Sequence, residues 1–197
     1  MTSDASVAGL VLAAGGGRRY GMPKALVVYE GSLLVERAVR TAAAVCDPVL
    51  VVLGARAVDV WRTADLGGAT VLANADWESG MASSLRTGLD GLRGWPTGRL
   101  GGKEIDAVLV QLVDMPGMTP AALQRMAEHA APDVLAVASY DGVRGHPVLL
   151  GREHWAGVAE TATGDEGARR YLAAHDVVEV DCTGLADPAD LDVPPAT

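Results

Sequence analysis

The sequence predicts a three-layer α/β/α sandwich built on a mostly parallel β-sheet. Short apolar runs alternate with helical patterns along the chain, and those runs are almost continuously apolar, as strands covered on both faces must be. A third sign is the dense glycine turn directly after the first run, at the edge where open α/β sheets bind ligands.

The runs Val7–Leu12, Val49–Leu53, Ala69–Leu72, Ala107–Val113, Val134–Ala138 and Val177–Val180 are too short for buried helices and read as strands. Helical periodicity falls over Leu33–Val45 after Ser32, Ala57–Leu66, Met81–Leu92 after Ser79, Pro120–Ala131 after Thr119, and Glu166–Ala174 after Asp165. The polar residue before each of four helices suits an N-cap, and Pro120 suits the first helical position, where a missing N–H costs nothing. Gly94–Lys103 is a loop insertion, since glycine and proline at that density sustain neither period. The tail Asp187–Thr197 reads as extended, without a core face.

Composition narrows the function. The 197 residues, 49% hydrophobic and 21% charged, suit one globular domain over 1–197. Size scaling lets such a chain bury roughly 70% of its extended surface without crosslinks. Phe is absent and aromatics are 4%, so the core is aliphatic and a base-stacking surface for nucleic acid is not expected. Sixteen Lys and Arg against 25 Asp and Glu give a net charge of −9, which repels nucleic acid and anionic membranes. An anionic substrate therefore needs a local cationic site or a metal. Cys46 and Cys182 lack metal or redox spacing and read as structural thiols. No apolar stretch is long enough for a membrane span and no charged segment precedes Val7, so a cytoplasmic protein is expected.

The turn Leu12-Ala13-Ala14-Gly15-Gly16-Gly17-Arg18-Arg19-Tyr20-Gly21-Met22-Pro23-Lys24 supplies that site. Three glycines let phosphate approach backbone N–H groups, and Arg18, Arg19 and Lys24 add positive charge. The Walker A pattern is not met, since Met22 follows Gly21 and no Ser or Thr follows Lys24, and such a loop is left as a minor alternative. The dinucleotide fingerprint fails at Tyr20, which stands where its third glycine belongs, and the second strand ends in Gly54 rather than an acid. At the same edge, Ala107–Val113 terminates on Asp114, followed by Met115-Pro116. Asp114 either caps the turn before Thr119 or holds Mg²⁺, which needs only one or two carboxylates beside phosphates and water.

Leu12–Lys24 resembles the LAAGxxxRxGxxK signature of the MobA-like nucleotidyltransferases, in particular the molybdenum-cofactor cytidylyltransferase branch. The likeness extends in six ordered blocks to residue 194, through Gly80-Met81-Ala82-Ser83-Ser84-Leu85, Asp114-Met115-Pro116, Arg144-Gly145-His146-Pro147, Gly164-Asp165-Glu166-Gly167-Ala168-Arg169 and Leu191-Asp192-Val193-Pro194. Tyr20 and Gly17 depart from the usual Met and Ser.

The resemblance implies a Rossmann-like nucleotide-diphospho-sugar transferase fold, with a nucleotide half over about 1–115 and an acceptor half over about 116–197. It implies that Leu12, Ala13, Ala14, Gly15, Gly16 and Gly17 meet the nucleotide, that Arg19 and Lys24 grip the triphosphate with Arg18 as helper, and that Asp114 binds Mg²⁺. Gly80 and Ser84 would contact the base through a helix start with free N–H groups. Arg144, His146 and Asp165 would serve the acceptor, although Asp165 also suits a helix cap. The implied reaction joins NMP from CTP to molybdopterin with release of pyrophosphate, with a recipient molybdoenzyme downstream. A guanylyl or sugar-phosphate transferase, a non-catalytic nucleotide or pterin carrier, and an NAD-linked oxidoreductase are the competing readings.

Overall fold

The computed structural model describes residues 5–95 and 104–191. The strands in chain order are β1 (Val7–Ala13), a separate small hairpin of β2 (Val28–Tyr29) and β3 (Ser32–Leu33), then β4 (Val49–Leu53), β5 (Thr70–Ala73), β6 (Ala107–Leu112), β7 (Leu135–Tyr140), β8 (Val143–Gly151) and β9 (Val178–Asp181). All but the hairpin form one seven-stranded sheet in the order β5-β4-β1-β6-β8-β7-β9. β8 runs antiparallel to both neighbours, and every other pairing is parallel.

The helices are α1 (Leu34–Ala43), α2 (Ala57–Thr63), α3 (Met81–Arg93), α4 (Pro120–Ala127), α5 (Trp155–Thr161) and α6 (Arg169–Ala173). Side chains alternate across a strand, so β1 sends Val11 to one face and Leu10 to the other. Val11, Val51, Leu109 and Leu149 pack with α1 and α4 through Leu34, Val35, Leu123 and Met126. Leu10, Leu50, Val108 and Leu150 pack with α3 and α5 through Leu85, Leu89, Trp155 and Val158. Helices on both faces explain why the strands lack polar alternation. Both cysteines are buried and unpaired, and burial pushes the Cys46 thiol up to about 12. Among the described residues no helix is long and apolar enough to cross a membrane.

Several expectations change. Val143–Gly151, absent from the strands expected from sequence, is the longest strand among the described residues, and the loop before it is an Asp141-Gly142 turn with φ of 50° and 79°. α5 was not foreseen. Thr119 does cap α4, accepting the Ala122 N–H at 3.3 Å. Ser32 instead lies in β3, and Glu36 reaches back to the Leu33 N–H at 3.0 Å. Residues 96–103 of the expected loop and 192–197 of the tail, including the Asp192-Val193-Pro194 element, lie outside the described residues. Contrary to a tail without a core face, Leu191 packs against the core, and its N–H donates to the Asp114 carbonyl at 2.8 Å.

β6 and β8 join the parallel and antiparallel parts, with Leu109 opposite fully buried Leu149. Leu149→Ala is expected to lower stability by about 2–5 kcal/mol, the range for a buried leucine truncated to a methyl. Urea denaturation checks this.

Candidate active site

The glycine turn begins where β1 leaves the sheet. Ala14 is buried, and its carbonyl accepts the Ala55 N–H at 2.9 Å, joining the turn to the end of β4. The three glycines have different causes. Gly17 has φ of +62°, a Cβ there would collide with the Met22 carbonyl, and its own carbonyl accepts the Gly21 N–H at 2.8 Å. A Cβ on Gly16 would lie 2.9 Å from the Trp77 ring. Gly15 is exposed, and a Cβ there would meet nothing within 4 Å. The fold thus accounts for two of the glycines, and the third faces open space. Arg18 and Arg19 are exposed on the same turn.

Parallel register places Leu12 of β1 opposite Leu112 of β6, so the turn and Asp114 leave the sheet at the same edge. Lys24 spans them: its Nζ donates to Asp114 Oδ2 at 2.7 Å, with both side chains largely covered (14% and 20% exposed). Arg37 of α1 donates to the Pro116 carbonyl at 3.3 Å and Leu191 donates to the Asp114 carbonyl, so the aspartate's backbone is held on both sides. Asp114 Oδ1 is buried with no hydrogen-bond partner among the described residues. A buried carboxylate oxygen without a donor is a position a hard cation fills. Among the described residues no group of three His, Cys, Asp or Glu forms a self-sufficient metal cage, so Asp114 would hold an ion together with substrate phosphates and water. Asp114 does not cap the turn before Thr119; Thr119 supplies its own cap and donates to the Leu185 carbonyl.

Beside this edge lies a cleft of about 970 Å³, within the range of small-molecule sites, lined by residues of β6, β7, β8, the start of α3 and the segment leading into α6. Leu12, Arg144, His146 and Asp165 all border it. Between the pairs Val137–Val148 and Ala138–Gly145 the register shifts, leaving His146 and Pro147 as a bulge on β8. Tyr140 Oη donates to the His146 carbonyl at 2.9 Å and fixes the bulge. Burial lowers the His146 pKa, Asp114 draws it back up, and Arg169 lowers it again. The net shift is downward, with burial its first cause.

Other predicted residues have partners in the protein. Arg144 is exposed and bonded to Glu179 of β9 at 2.6 Å. Asp165 does not cap the helix that follows it: its Oδ1 accepts the Met81 N–H at 3.2 Å, while the Gly164 carbonyl accepts the Ala82 N–H at 2.8 Å. The leading N–H groups of α3, expected to be free, are therefore taken. Gly80 is required by this latch, since its φ is +110° and a Cβ would lie 2.5 Å from the Gly164 backbone. Ser84 is buried and accepts from Asn74 Nδ2 at 3.0 Å, with Ser83 accepting from the same amide at 2.8 Å. Ser79 is not the cap of α3; its hydroxyl bonds to Asp76.

Sequence reasoning assigned no role to Trp77, which covers Gly16 and Gly54, or to Arg169, which borders the cleft and acts on His146. The arginine was within reach, at the end of a Gly-Asp-Glu-Gly-Ala-Arg string; nothing in the string Asn74–Glu78 signals where the tryptophan packs.

The sheet and its furnished edge define an α/β protein of the nucleotidyltransferase class. Residues 9–180 match the MobA-like NTP transferase domain, and the chain belongs to that family. Nicotine blue oxidoreductase of Paenarthrobacter nicotinovorans is 34% identical, with 94% of this chain and 92% of that protein aligned. The crystal structure of Rv0371c from Mycobacterium tuberculosis H37Rv superposes with a TM-score of 0.81 at 29% identity, covering 96% of this chain and 93% of that one. A manganese complex of Rv0371c superposes at 0.77 with 26% identity, covering 95% and 94%.

Two predictions follow from this geometry. Gly17→Ala is expected to cost about 1–3 kcal/mol through its backbone conformation and the Met22 collision, whereas Gly15→Ala leaves the urea midpoint unchanged within about 0.5 kcal/mol. For His146, the folded pKa lies below the ordinary 6.5, so the unfolded chain binds the proton first as pH falls. Its stabilising contribution is complete above pH 6.5 and declines as pH drops from there through the lowered folded value. Thermal midpoints of His146→Asn and the parent protein, taken without divalent metal, are expected to diverge above pH 6.5 and converge in acid.

Proposed function

We propose that this protein is a cytoplasmic nucleotidyltransferase that joins the nucleoside monophosphate of an NTP, CTP by preference, to the terminal phosphate of a molybdopterin-type acceptor. The observation that carries this reading is the Lys24–Asp114 pair at 2.7 Å beside the glycine turn, with the second Asp114 oxygen buried and open. The resemblance of Leu12–Lys24 and Arg144–Pro147 to the cytidylyltransferase branch supports the choice of CTP and of the acceptor, and a recipient molybdoenzyme would take the product.

An acceptor phosphate oxygen attacks the α-phosphorus in line; the new P–O bond forms as the bond to the β-phosphate oxygen breaks, and pyrophosphate leaves. The nucleophile is already anionic, so no general base is required, and the work is alignment and charge neutralisation. Leu12, Ala13 and Ala14 bring the chain to the nucleotide, and Gly15, Gly16 and Gly17 offer backbone to the phosphates. Lys24 and Arg19 neutralise the triphosphate, with Arg18 assisting. Asp114 would hold Mg²⁺, which polarises the reacting phosphate when bound. In the acceptor half, about 116–197, His146 orients the acceptor by hydrogen bonding and Arg144 lies at the cleft's border. Asp165 and Gly80 shape the junction between that half and the nucleotide half, about 1–115, and Ser84 supports it through Asn74.

A second reading, an oxidoreductase, draws on the 34% identity to nicotine blue oxidoreductase. It predicts binding of NADH, whereas the turn has Tyr20 where a dinucleotide site has its third glycine.

With Mg²⁺, CTP and molybdopterin, coupled-assay detection of pyrophosphate is expected to show turnover that exceeds the rate with GTP. Asp114→Asn is expected to reduce it about 10²–10³-fold, with the far-ultraviolet circular dichroism unchanged. NADH binding without pyrophosphate release would select the oxidoreductase reading, and nucleotide binding without release a carrier.

A further inference from the structure

We propose that Lys24 and a divalent cation compete for Asp114, so that the ammonium acts as an internal stand-in that keeps the ion weakly bound until nucleotide phosphates draw the lysine away. The inference rests on the nucleotidyltransferase reading and adds the order in which its charges are exchanged.

The geometry sets up the competition. Lys24 Nζ already contacts Asp114 Oδ2 at 2.7 Å, and the buried Oδ1 of the same carboxylate has no donor. A divalent ion on that carboxylate would sit within a few ångströms of the ammonium, in a largely covered place where like charges repel more strongly than in water. Among the described residues no group of three His, Cys, Asp or Glu supplies negative charge in a metal-binding arrangement.

A triphosphate reverses the balance. Lys24 lies seven residues after Gly17 at the end of the same turn, opens the short turn Lys24–Leu26, and puts its ammonium on the carboxylate at the sheet edge where that turn leaves β1. Phosphate oxygens that accept the ammonium release Oδ2 and at the same time give the ion further oxygen ligands. Linkage requires the coupling to be reciprocal: whatever the nucleotide does for the ion, the ion does for the nucleotide.

Metal affinity of the intact chain without any nucleotide tests this directly. Free Mn²⁺ is titrated against the protein and followed by electron paramagnetic resonance. Lys24→Met and Lys24→Gln are each expected to bind Mn²⁺ at least about tenfold more tightly than the parent, because the competing cation is gone. Lys24→Arg, which keeps the charge, is expected to stay near the parent value. Adding Asp114→Asn to Lys24→Met is expected to abolish the gain. The proposal is overturned if neither neutral variant tightens Mn²⁺ binding, if Lys24→Arg tightens it equally, or if the gain survives without Asp114. Circular dichroism identifies any variant that does not fold, and having two neutral substitutions guards against losing one. No substrate enters the titration, so its result is separate from that of the pyrophosphate assay.

Discussion

The contact between Lys24 and Asp114 fixes the working edge of the molecule. It joins residues 90 positions apart, and parallel pairing of β1 with β6 makes it reachable by setting Leu12 opposite Leu112. A largely covered pair of this kind is weak evidence of net stabilisation, since both charges lose water to form it. Removing one member is the costly event, because the other then lies largely covered without a counter-charge. The surroundings are arranged accordingly: Arg37 and Leu191 hold the backbone around Asp114, and Ala55 holds the turn at Ala14. The result is a prepared anionic position and a prepared cation close to the backbone that would meet phosphate.

The antiparallel β8 gives the other half of the sheet a different task. A parallel crossover at this place would send a helix over the face; instead the Asp141-Gly142 turn brings the chain straight back, and the bulge at His146-Pro147 brings His146 within electrostatic reach of Asp114. The segment before α6 then crosses to the start of α3, where Gly164 and Asp165 take its first N–H groups. Gly80 admits that crossing because it has no Cβ. The latch ties the segment before α6 to the start of the helix that follows β5. An expectation of free helix-terminal N–H groups at this point failed because Gly164 and Asp165, more than 80 positions away, satisfy them, and such long-range capping leaves no local trace in sequence.

What was legible in the chain divides along the same line between local and distant causes. β1, β4 and β6 were readable because strands covered on both faces must be apolar throughout, and their bounds agree with the sequence within a residue or so. β8 was hidden because Arg144, Gly145, His146 and Pro147 break its apolar pattern at the bulge, although Asp141-Gly142 is a hairpin signal that the chain did offer. Thr119 was a correct cap because its partner lies three residues away. Ser32, Ser79 and Asp165 were not, because a hairpin, an Asp76 contact and a tertiary bond claimed them. For the glycine turn, composition suggested a loop open to anions but not the different causes of its glycines, which depend on Trp77 and Met22.

Membership of a fold family does not by itself choose between nucleotidyl transfer and redox chemistry, as the name of the relative from Paenarthrobacter nicotinovorans illustrates. The discriminating features are those that one chemistry needs and the other does not. Hydride transfer asks for no cation-binding carboxylate and no lysine set against it, so a buried Asp114 oxygen lacking a donor would be an unrewarded cost there. Phosphoryl chemistry between two polyanions, on a protein whose net charge is −9, cannot proceed without cations gathered at one point. The chain gathers them at the edge where Gly15 leaves its backbone uncovered, with Lys24 beside it and a carboxylate suited to a hard ion. The manganese in the complex of Rv0371c is a hard divalent cation of the type that such an oxygen donor set accepts. Electrostatic need and local geometry therefore support the same reading, and a cleft bordered by His146 lies beside that edge.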